Sequence, residues 1–391
     1  MDSTLQRMYF PKYQDSSLVN LMSRLAQTFG VNDHPYPPLA HPSLTRLTEY
    51  QHVVLLVIDG MGARYVDSHP GFLRAHLCGE LTSVFPTTTA TAITTFMTGL
   101  APQQHGLTGW FTYLKEIGAI TAVLPCQLRG SREPLSERGI DIESLYGHTP
   151  FFDSLNVPST VLAPAWIVDS PFNIAHSGDA RRIGYTDLDS MFAGLHKALQ
   201  NPERQYIYAY WPEFDRLSHL HGNASEQVAR HYRDLEAALA KFIDAHTGTG
   251  SLLLITADHG FIDTRPERMI NLNQYPVLQD CLSLPLSGEP RVAYCYVHPH
   301  KSRTFVDYIQ EHFADKIELV ESQTLIEQGA FGAGEPHPKL AQRVGDYTLI
   351  MQDNFIIKDW LAGEKPFFHY GVHGGVSERE MQVPLIVIAN D

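Results

Sequence analysis

The sequence predicts an α/β fold around a mostly parallel central sheet flanked by helices, with an inserted cap subdomain. Three observations predict it. Continuous apolar runs end close to Asp residues, an amphipathic helical stripe lies between two of them, and one Pro/Gly-jointed segment differs in texture from the rest. An unbroken apolar run marks a strand buried on both faces. Such strands alternating with amphipathic helices build a sheet with helices packed on its faces.

The elements follow in chain order. Leu18, Leu21, Met22, Leu25 and Phe29 recur at helical spacing and Gly30 stops them, so a helix opens the chain. A Pro-rich connector runs from His34 to Pro42, and the aliphatic run Val53 to Ile58 then closes on Asp59-Gly60. Tyr206 to Tyr210 ends shortly before Asp215, Leu252 to Thr256 ends before Asp258-His259, and Pro384 to Ile388 closes the chain. Between the second and third runs, Val228, Tyr232, Leu235, Leu239 and Phe242 form a helical stripe, with Asn223 and Glu226 expected as its capping box. Residues 275–370 carry joints at Pro285, Gly288 and Pro290 and again at Gly332, Gly334, Pro336 and Pro338. Between the joints sit an alternating strand, Arg291 to Val297, and a helix, Ser302 to Ala314. This segment is the expected cap; residues 1–274 and 371–391 form the expected catalytic core.

Composition narrows the function. The chain has 391 residues, room for two units of ordinary size. Charged residues at 18% and aromatics at 10% exclude intrinsic disorder. Lys and Arg number 29 against 43 Asp and Glu, a formal charge of -14 that repels a nucleic-acid polymer. A small anionic substrate is still accommodated if bound metal ions supply local positive charge. Cys78, Cys126, Cys281 and Cys295 lie far apart and read as lone thiols. The Met1–Arg7 stretch lacks a basic-then-apolar leader pattern, and no apolar run is long enough to span a bilayer. A cytoplasmic location with no membrane partner is expected.

Open α/β sheets place their sites beyond the carboxyl ends of the strands. Asp59 follows the first run, Asp215 and His219 the second, and Asp258 and His259 the third, while His373 precedes the last. A single Asp after a strand is ordinarily a turn residue, and a single His is ordinarily a surface or core residue. Together, three Asp and three His suffice for two metal ions with nitrogen and oxygen ligands. Asp215 and His219 stand four apart, on one face if that turn is helical. Asp258 and His259 converge only on a tight loop.

The segment Phe85-Pro86-Thr87-Thr88-Thr89-Ala90-Thr91-Ala92 reads either as a Thr-rich strand or helix face, or as a hydroxyl presented at a helix N-terminus. There, free N–H groups and the dipole favour an anion. A threonine hydroxyl becomes a competent nucleophile when a metal lowers its pKa.

In order, Asp59-Gly60, Phe85-Pro86-Thr-x-Thr89, Thr98-Gly99-Leu100-x-Pro102-x-x-His105-Gly106, Asp215-x-x-x-His219-x-x-Gly222, Asp258-His259-Gly260 and His373-Gly374 resemble the type I phosphodiesterase/nucleotide pyrophosphatase family of the alkaline phosphatase superfamily. The resemblance covers about residues 50 to 270 and the chain from 370 onward. It implies an alkaline-phosphatase-like core and two divalent metal ions, most readily zinc. One ion would be held by Asp59, Asp258, His259 and the Thr89 oxygen, the other by Asp215, His219 and His373. Thr89 is the implied nucleophile, forming a phospho-threonine intermediate, because the interval from Phe85-Pro86 to Thr98-Gly99 then aligns without a gap; Thr88 is the alternative. The implied reaction is hydrolysis of a phosphodiester or pyrophosphate bond in a small nucleotide-like substrate.

The match departs at substrate recognition. The family motif continues Thr-Phe-Pro-Asn, where this chain has Thr89-Ala90-Thr91-Ala92, so a base-stacking aromatic and a phosphoryl donor are missing. Tyr210 matches a second base-facing aromatic, Thr91 is a substitute hydroxyl donor, and Trp110 and Phe111 are substitute walls. A monoesterase would add an Arg or a third metal; Arg64 and Lys115 are the available cations. Two alternatives stay open: a phosphomonoesterase or phosphonate hydrolase on the same metal core, and a non-catalytic metal-dependent anion-binding protein.

Overall fold

The computed structural model describes residues 8–390, so the Met1–Arg7 stretch read above for a leader lies outside the described residues. Seven strands form the main sheet: β1 (His52–Ile58), β2 (Leu77–Thr82), β3 (Ser159–Pro164), β4 (Arg181–Tyr185), β5 (Gln205–Trp211), β6 (Ser251–Thr256) and β7 (Gln382–Asn390). Their order is β2-β7-β6-β1-β5-β3-β4. β1 pairs in parallel with β5 and β6, and β3 in parallel with β4 and β5. Every residue of β1 and β6 is buried, so these strands are apolar throughout instead of alternating.

β7 is the exception to the parallel rule, running antiparallel to both β2 and β6. Pro384 lacks an N–H for the ladder, and the register shifts just after it, between Leu385 and Ile386. The flanks carry the predicted helices. α1 (Leu18–Thr28) is closed at its N-terminus by a capping box of Ser17 and Asn20. α2 (Thr89–Thr98) and α3 (Glu213–His221) carry site residues, and α4 (Glu226–Ala245) buries the stripe Val228, Tyr232, Leu235, Leu239 and Phe242. The expected box of Asn223 and Glu226 does not form. Ser225 caps α4 instead, accepting from the Val228 N–H at 3.4 Å, because Asn223 donates its own N–H to Asp263 at 2.5 Å.

A second sheet of seven strands is antiparallel at every pairing. Its order is Ile317–Glu321, Tyr347–Met351, Val292–Cys295, Ser287–Gly288, Phe111–Leu114, Ala119–Ala122 and Gln127–Leu128. Four strands come from the expected cap and three from residues 111–128, so this sheet extends across the boundary drawn at 275. The strand Val292–Cys295 is buried throughout rather than on alternate residues. It is covered on one side by the helix Ser302–Phe313, whose Phe305, Ile309 and Phe313 join Ala293, Cys295 and Leu349 in a separate core.

One ion pair ties this sheet to the main one. Arg291, 2% exposed, donates from Nε and one terminal nitrogen to the two Glu380 oxygens at 3.1 and 3.0 Å. Glu380 is fully buried, takes the Gly375 N–H at 2.8 Å and the Ser377 hydroxyl at 2.6 Å, and offers its main-chain carbonyl to the Gly260 N–H at 2.8 Å. One residue, Glu380, therefore holds both loops, that of His373 through its carboxylate and that of His259 through its main-chain carbonyl.

A second junction is imidazole-rich. The His148 ring lies 6.1, 5.8 and 6.2 Å from those of His105, His176 and His337. Burial pushes all four below the ordinary range: His105 far down, His148 to about 3, and His176 and His337 to about 4. They are neutral in the fold and take protons on unfolding below about pH 6.5, so the unfolded state binds more protons.

Two measurements follow. Arg291→Met leaves Glu380 as a buried unpaired charge and is expected to cost roughly 3–5 kcal/mol in urea unfolding. The contribution of these four imidazoles to stability is expected to be flat above about pH 6.5 and to fall toward pH 4, each adding about 1.4 kcal/mol per pH unit to the slope. The raised carboxyls of Asp59, Asp215 and Glu289 contribute with the opposite sign. His176→Phe should remove about one proton from the slope measured near pH 5.

Candidate metal centre and active site

The strand ends deliver the carboxylates. Asp59 leaves β1 into Gly60, whose φ of 75° is the left-handed region; a Cβ there would also meet the Phe261 ring at 2.3 Å. Asp258 leaves β6 on a tight loop, so both it and His259 turn inward, with Asp258 Oδ2 3.3 Å from His259 Nε2. The loop is fixed by Asp258 Oδ1, which accepts the Gly60 N–H at 2.9 Å and the His259 N–H at 3.0 Å. Gly260 is needed for approach, since a Cβ would come within 2.0 Å of the Arg379 carbonyl oxygen. Asp215 comes from the first turn of α3, and His219, one turn on, reaches its Oδ1 at 3.4 Å.

The imidazoles share one arrangement. His219, His259 and His373 each place Nδ1 against a backbone carbonyl: Gly371 at 2.8 Å, Gly260 at 3.1 Å and Thr87 at 3.1 Å. A proton on Nδ1 leaves Nε2 as the free lone pair, the tautomer that metal-binding histidines adopt. The three Nε2 atoms turn inward. His373 Nε2 lies 3.2 Å from His219 Nε2 and 3.8 Å from Asp215 Oδ1, and His259 Nε2 lies 3.4 Å from Asp59 Oδ1. The His259 and His373 rings stack at 3.7 Å.

Two clusters result, Asp59-Asp258-His259 and Asp215-His219-His373, and His259 also lies close to Asp215 and His373. The residues fit cations on their own chemistry. Asp59 Oδ1, Asp215 Oδ1 and Asp258 Oδ2 are buried and have no hydrogen-bond partner, an arrangement that costs free energy unless a cation completes it. Burial, then the Asp258 and Asp215 charges, push the Asp59 carboxyl well above its ordinary value; burial, then Asp258 and Glu289, do the same for Asp215. Burial, the larger effect in each case, pushes His219 to about 3 and lowers His259 and His373, so the imidazoles stay neutral.

Thr89 is the first residue of α2 and its Oγ1 lies 3.1 Å from His259 Nε2. No side chain caps this helix. Thr88, the alternative nucleophile, donates its hydroxyl to Glu289 Oε1 at 2.5 Å. Two cavities, of about 750 and 690 Å³, open on the centre and share Thr89, Asp215 and His219 in their walls. The first is mostly apolar, with Ile93, Met97, Val161 and Phe172 among its lining. Trp110 lines both cavities and Phe111 the second.

The remaining expectations fall differently. Tyr210 lines the first cavity, but its hydroxyl donates to Asp59 Oδ2, so its polar end orients a carboxylate. Thr91 lines neither cavity: two residues beyond Thr89 it points roughly 200° round the helix, fully buried, with its hydroxyl unpartnered. Arg64 is paired with Glu378 at 2.9 Å, and neither it nor Lys115 lines the cavities.

Three residues escaped the sequence reading. Glu289, in the turn of the second sheet, accepts the Thr88 hydroxyl and the Trp110 N–H at 2.7 Å, and burial raises its carboxyl to about 7. Lys358 lines the second cavity, and His369 lines both and stands 4.2 Å, ring to ring, from His219. Glu289 lay in a Gly-Glu-Pro joint that read only as a turn.

The fold and the site define a hydrolase of the alkaline-phosphatase-like class, a mostly parallel sheet with Asp and His ligands gathered at its strand ends. More narrowly, the chain belongs to the type I phosphodiesterase/nucleotide pyrophosphatase family, whose model matches residues 53–375. It is a phosphodiesterase/nucleotide pyrophosphatase-like hydrolase. Among solved structures it is similar to murine ectonucleotide pyrophosphatase/phosphodiesterase 5, with a TM-score of 0.64 and 17% identity over 85% of this chain and 87% of that one. The human counterpart gives a TM-score of 0.64 and 18% identity over 86% and 87%. An inactive variant of the murine protein, in complex with AMP, matches as the murine protein does, at 17% identity. No curated protein sequence matches the chain.

Zinc added to chelator-treated protein is expected to raise the thermal midpoint, since a ligand at a hundred times its Kd stabilises by about 2.7 kcal/mol. Asp258→Asn should lose most of that shift, and calorimetry with zinc would show it.

Proposed function

We propose that the chain hydrolyses a phosphodiester or pyrophosphate bond of a small nucleotide-like substrate through a phospho-Thr89 intermediate. The observation that supports this is the Thr89 hydroxyl, set at a helix N-terminus 3.1 Å from His259 within the two ligand clusters. Asp59, Asp258, His259 and Thr89 would hold one divalent ion, and Asp215, His219 and His373 the other. Zinc fits this mixed nitrogen and oxygen donor set. When bound, such ions supply Lewis-acid stabilisation of the phosphoryl charge and lower the pKa of the hydroxyl.

The chain's own residues do the rest. The uncapped first turn of α2 faces its N–H groups to the phosphoryl oxygens, a role that the missing Asn at Ala92 leaves to the backbone. Thr89 Oγ bonds to phosphorus as the bond to the leaving oxygen breaks, and the hydroxyl proton passes to solvent. Water then bonds to phosphorus, the Thr89–O–P bond breaks, and the hydroxyl is restored. Tyr210 holds Asp59 in place from behind, and Glu289 holds the Thr88 and Trp110 segments against each other.

Residues 1–274 and 371–391 as the catalytic core and 275–370 as a cap remain the domain division we propose, with the strands of 111–128 joining the cap sheet. Four unpaired thiols support a cytoplasmic location. Among the described residues no helix is long and apolar enough to cross a membrane.

The test is turnover of bis-p-nitrophenyl phosphate against p-nitrophenyl phosphate by zinc-reconstituted protein. A diester preference abolished by chelator is expected. Thr89→Ala should lower kcat at least ~10³-fold while zinc binding persists, and Thr89→Ser should retain a measurable part. Unchanged activity in Thr89→Ala would remove the phospho-threonine step.

A further inference from the structure

Resting on the reading of Thr89 and the two ligand clusters as a phosphoryl site, we infer that Lys358 is a specificity-determining residue of the second cavity. It selects substrates that carry a further anionic oxyacid group, a carboxylate or phosphate, on the arm lodged there.

Lys358 is 8% exposed, yet its ammonium makes no hydrogen bond and no ion pair among the described residues. Its neighbours are the faces of two aromatic rings, Phe367 at 3.9 Å and Trp360 at 5.3 Å. The stem is buried while the ammonium keeps access to the cavity, where cation–π contact replaces part of the hydration lost and an anionic group would replace more. The ammonium lines the same cavity as Thr89, His219 and His373, so the acceptor that would complete it enters by the space that holds the phosphoryl group.

The other charges of this cavity are committed or solvated. Arg129 is held by Asp359 at 2.9 Å and Glu364 at 3.2 Å. The Glu289 carboxylate accepts from Thr88 and Trp110 and makes no ion pair with Lys358, although its charge acts on the ammonium from a distance. Arg132 and Lys365 line the cavity from exposed positions; with Arg129 and Lys358 they match its carboxylates Asp215, Glu289, Asp359 and Glu364, so the cavity does not share the acidic excess of a chain of formal charge -14.

Position is also constrained. Lys358 ends the strand Ile356–Lys358, paired in parallel with Met269–Asn271, with Asn271 opposite Lys358. The Phe367 ring on its other side is 55% exposed, a wall between the ammonium and solvent. Burial lowers the ammonium to about 8, so it remains largely charged at neutral pH. The first cavity, lined largely by apolar side chains, has no comparable cation deep within it; its Arg216 is paired with Glu213 at 2.5 Å.

The test is calorimetric binding to the zinc-loaded full chain of three phosphonates: propylphosphonate, 2-carboxyethylphosphonate and 2-phosphonooxyethylphosphonate. The expected result is at least tenfold tighter binding of one or both charged-arm compounds, and which one identifies carboxylate or phosphate as the group read. In Lys358→Met, which keeps the aliphatic stem, that preference should vanish while propylphosphonate binds within about twofold of the unsubstituted protein. Lys358→Gln should behave alike and Lys358→Arg should keep part of the preference, an outcome that packing alone would not produce. Equal binding of all three by the unsubstituted protein, or equal weakening of all three in both neutral variants, overturns the inference. The p-nitrophenyl diesters of ethanol and 3-hydroxypropionate then separate the two readings. A charged-arm preference in binding with neither diester turned over would sink the hydrolase and leave the Lys358 subsite standing.

Discussion

Three carboxylates buried together set the terms for this molecule. Asp59 and Asp258 come from the ends of β1 and β6 and Asp215 from the first turn of α3, and each keeps one oxygen without a hydrogen-bond partner. Burial and mutual repulsion oppose ionisation of Asp59 and Asp215. The arrangement is favourable only with protons or cations between the carboxylates, and the neutral imidazoles supply lone pairs, not charge. The surrounding structure is organised to hold that unfavourable group in one geometry. Parallel strands fix where the Asp residues emerge. Backbone carbonyls fix the imidazole tautomers, and close glycine approaches pack the Gly60 and Gly260 loops together.

The second sheet contributes to the same task from outside. Its Arg291 reaches Glu380, whose carboxylate and carbonyl bind the loops of His373 and His259. Its turn supplies Glu289 beneath the start of α2. The two sheets therefore meet at the site, and the two cavities flank that meeting. Both are lined largely by apolar surface, and Lys358 belongs to the second alone.

Legibility varied with how local the physical cause was. β1, β5 and β6 were visible because central parallel strands are apolar throughout, and α4 because its stripe repeats over about four turns. β2, half exposed and short, and β4, an Arg-rich edge strand, carry no such signature. The cap of α4 was assigned to Asn223, two residues early, because the spacing cannot show that Asp263 takes the Asn223 N–H. Thr91 is chemically equivalent to Thr89 in the sequence; only the rotation of a helix separates them.

By itself, the sequence determined the class of fold, the three Asp and three His that converge, and the family to which they belong. Those features rest on strand composition and on residue order along the chain. Only the tertiary structure decided that the cap sheet borrows residues 111–128, that Glu289 and Lys358 stand at the site, and that Tyr210 supports a carboxylate. These depend on contacts between segments more than a hundred residues apart, whose pairing no local pattern encodes. The two cavities belong to that second group, because their walls are built from side chains that two independently patterned sheets bring together.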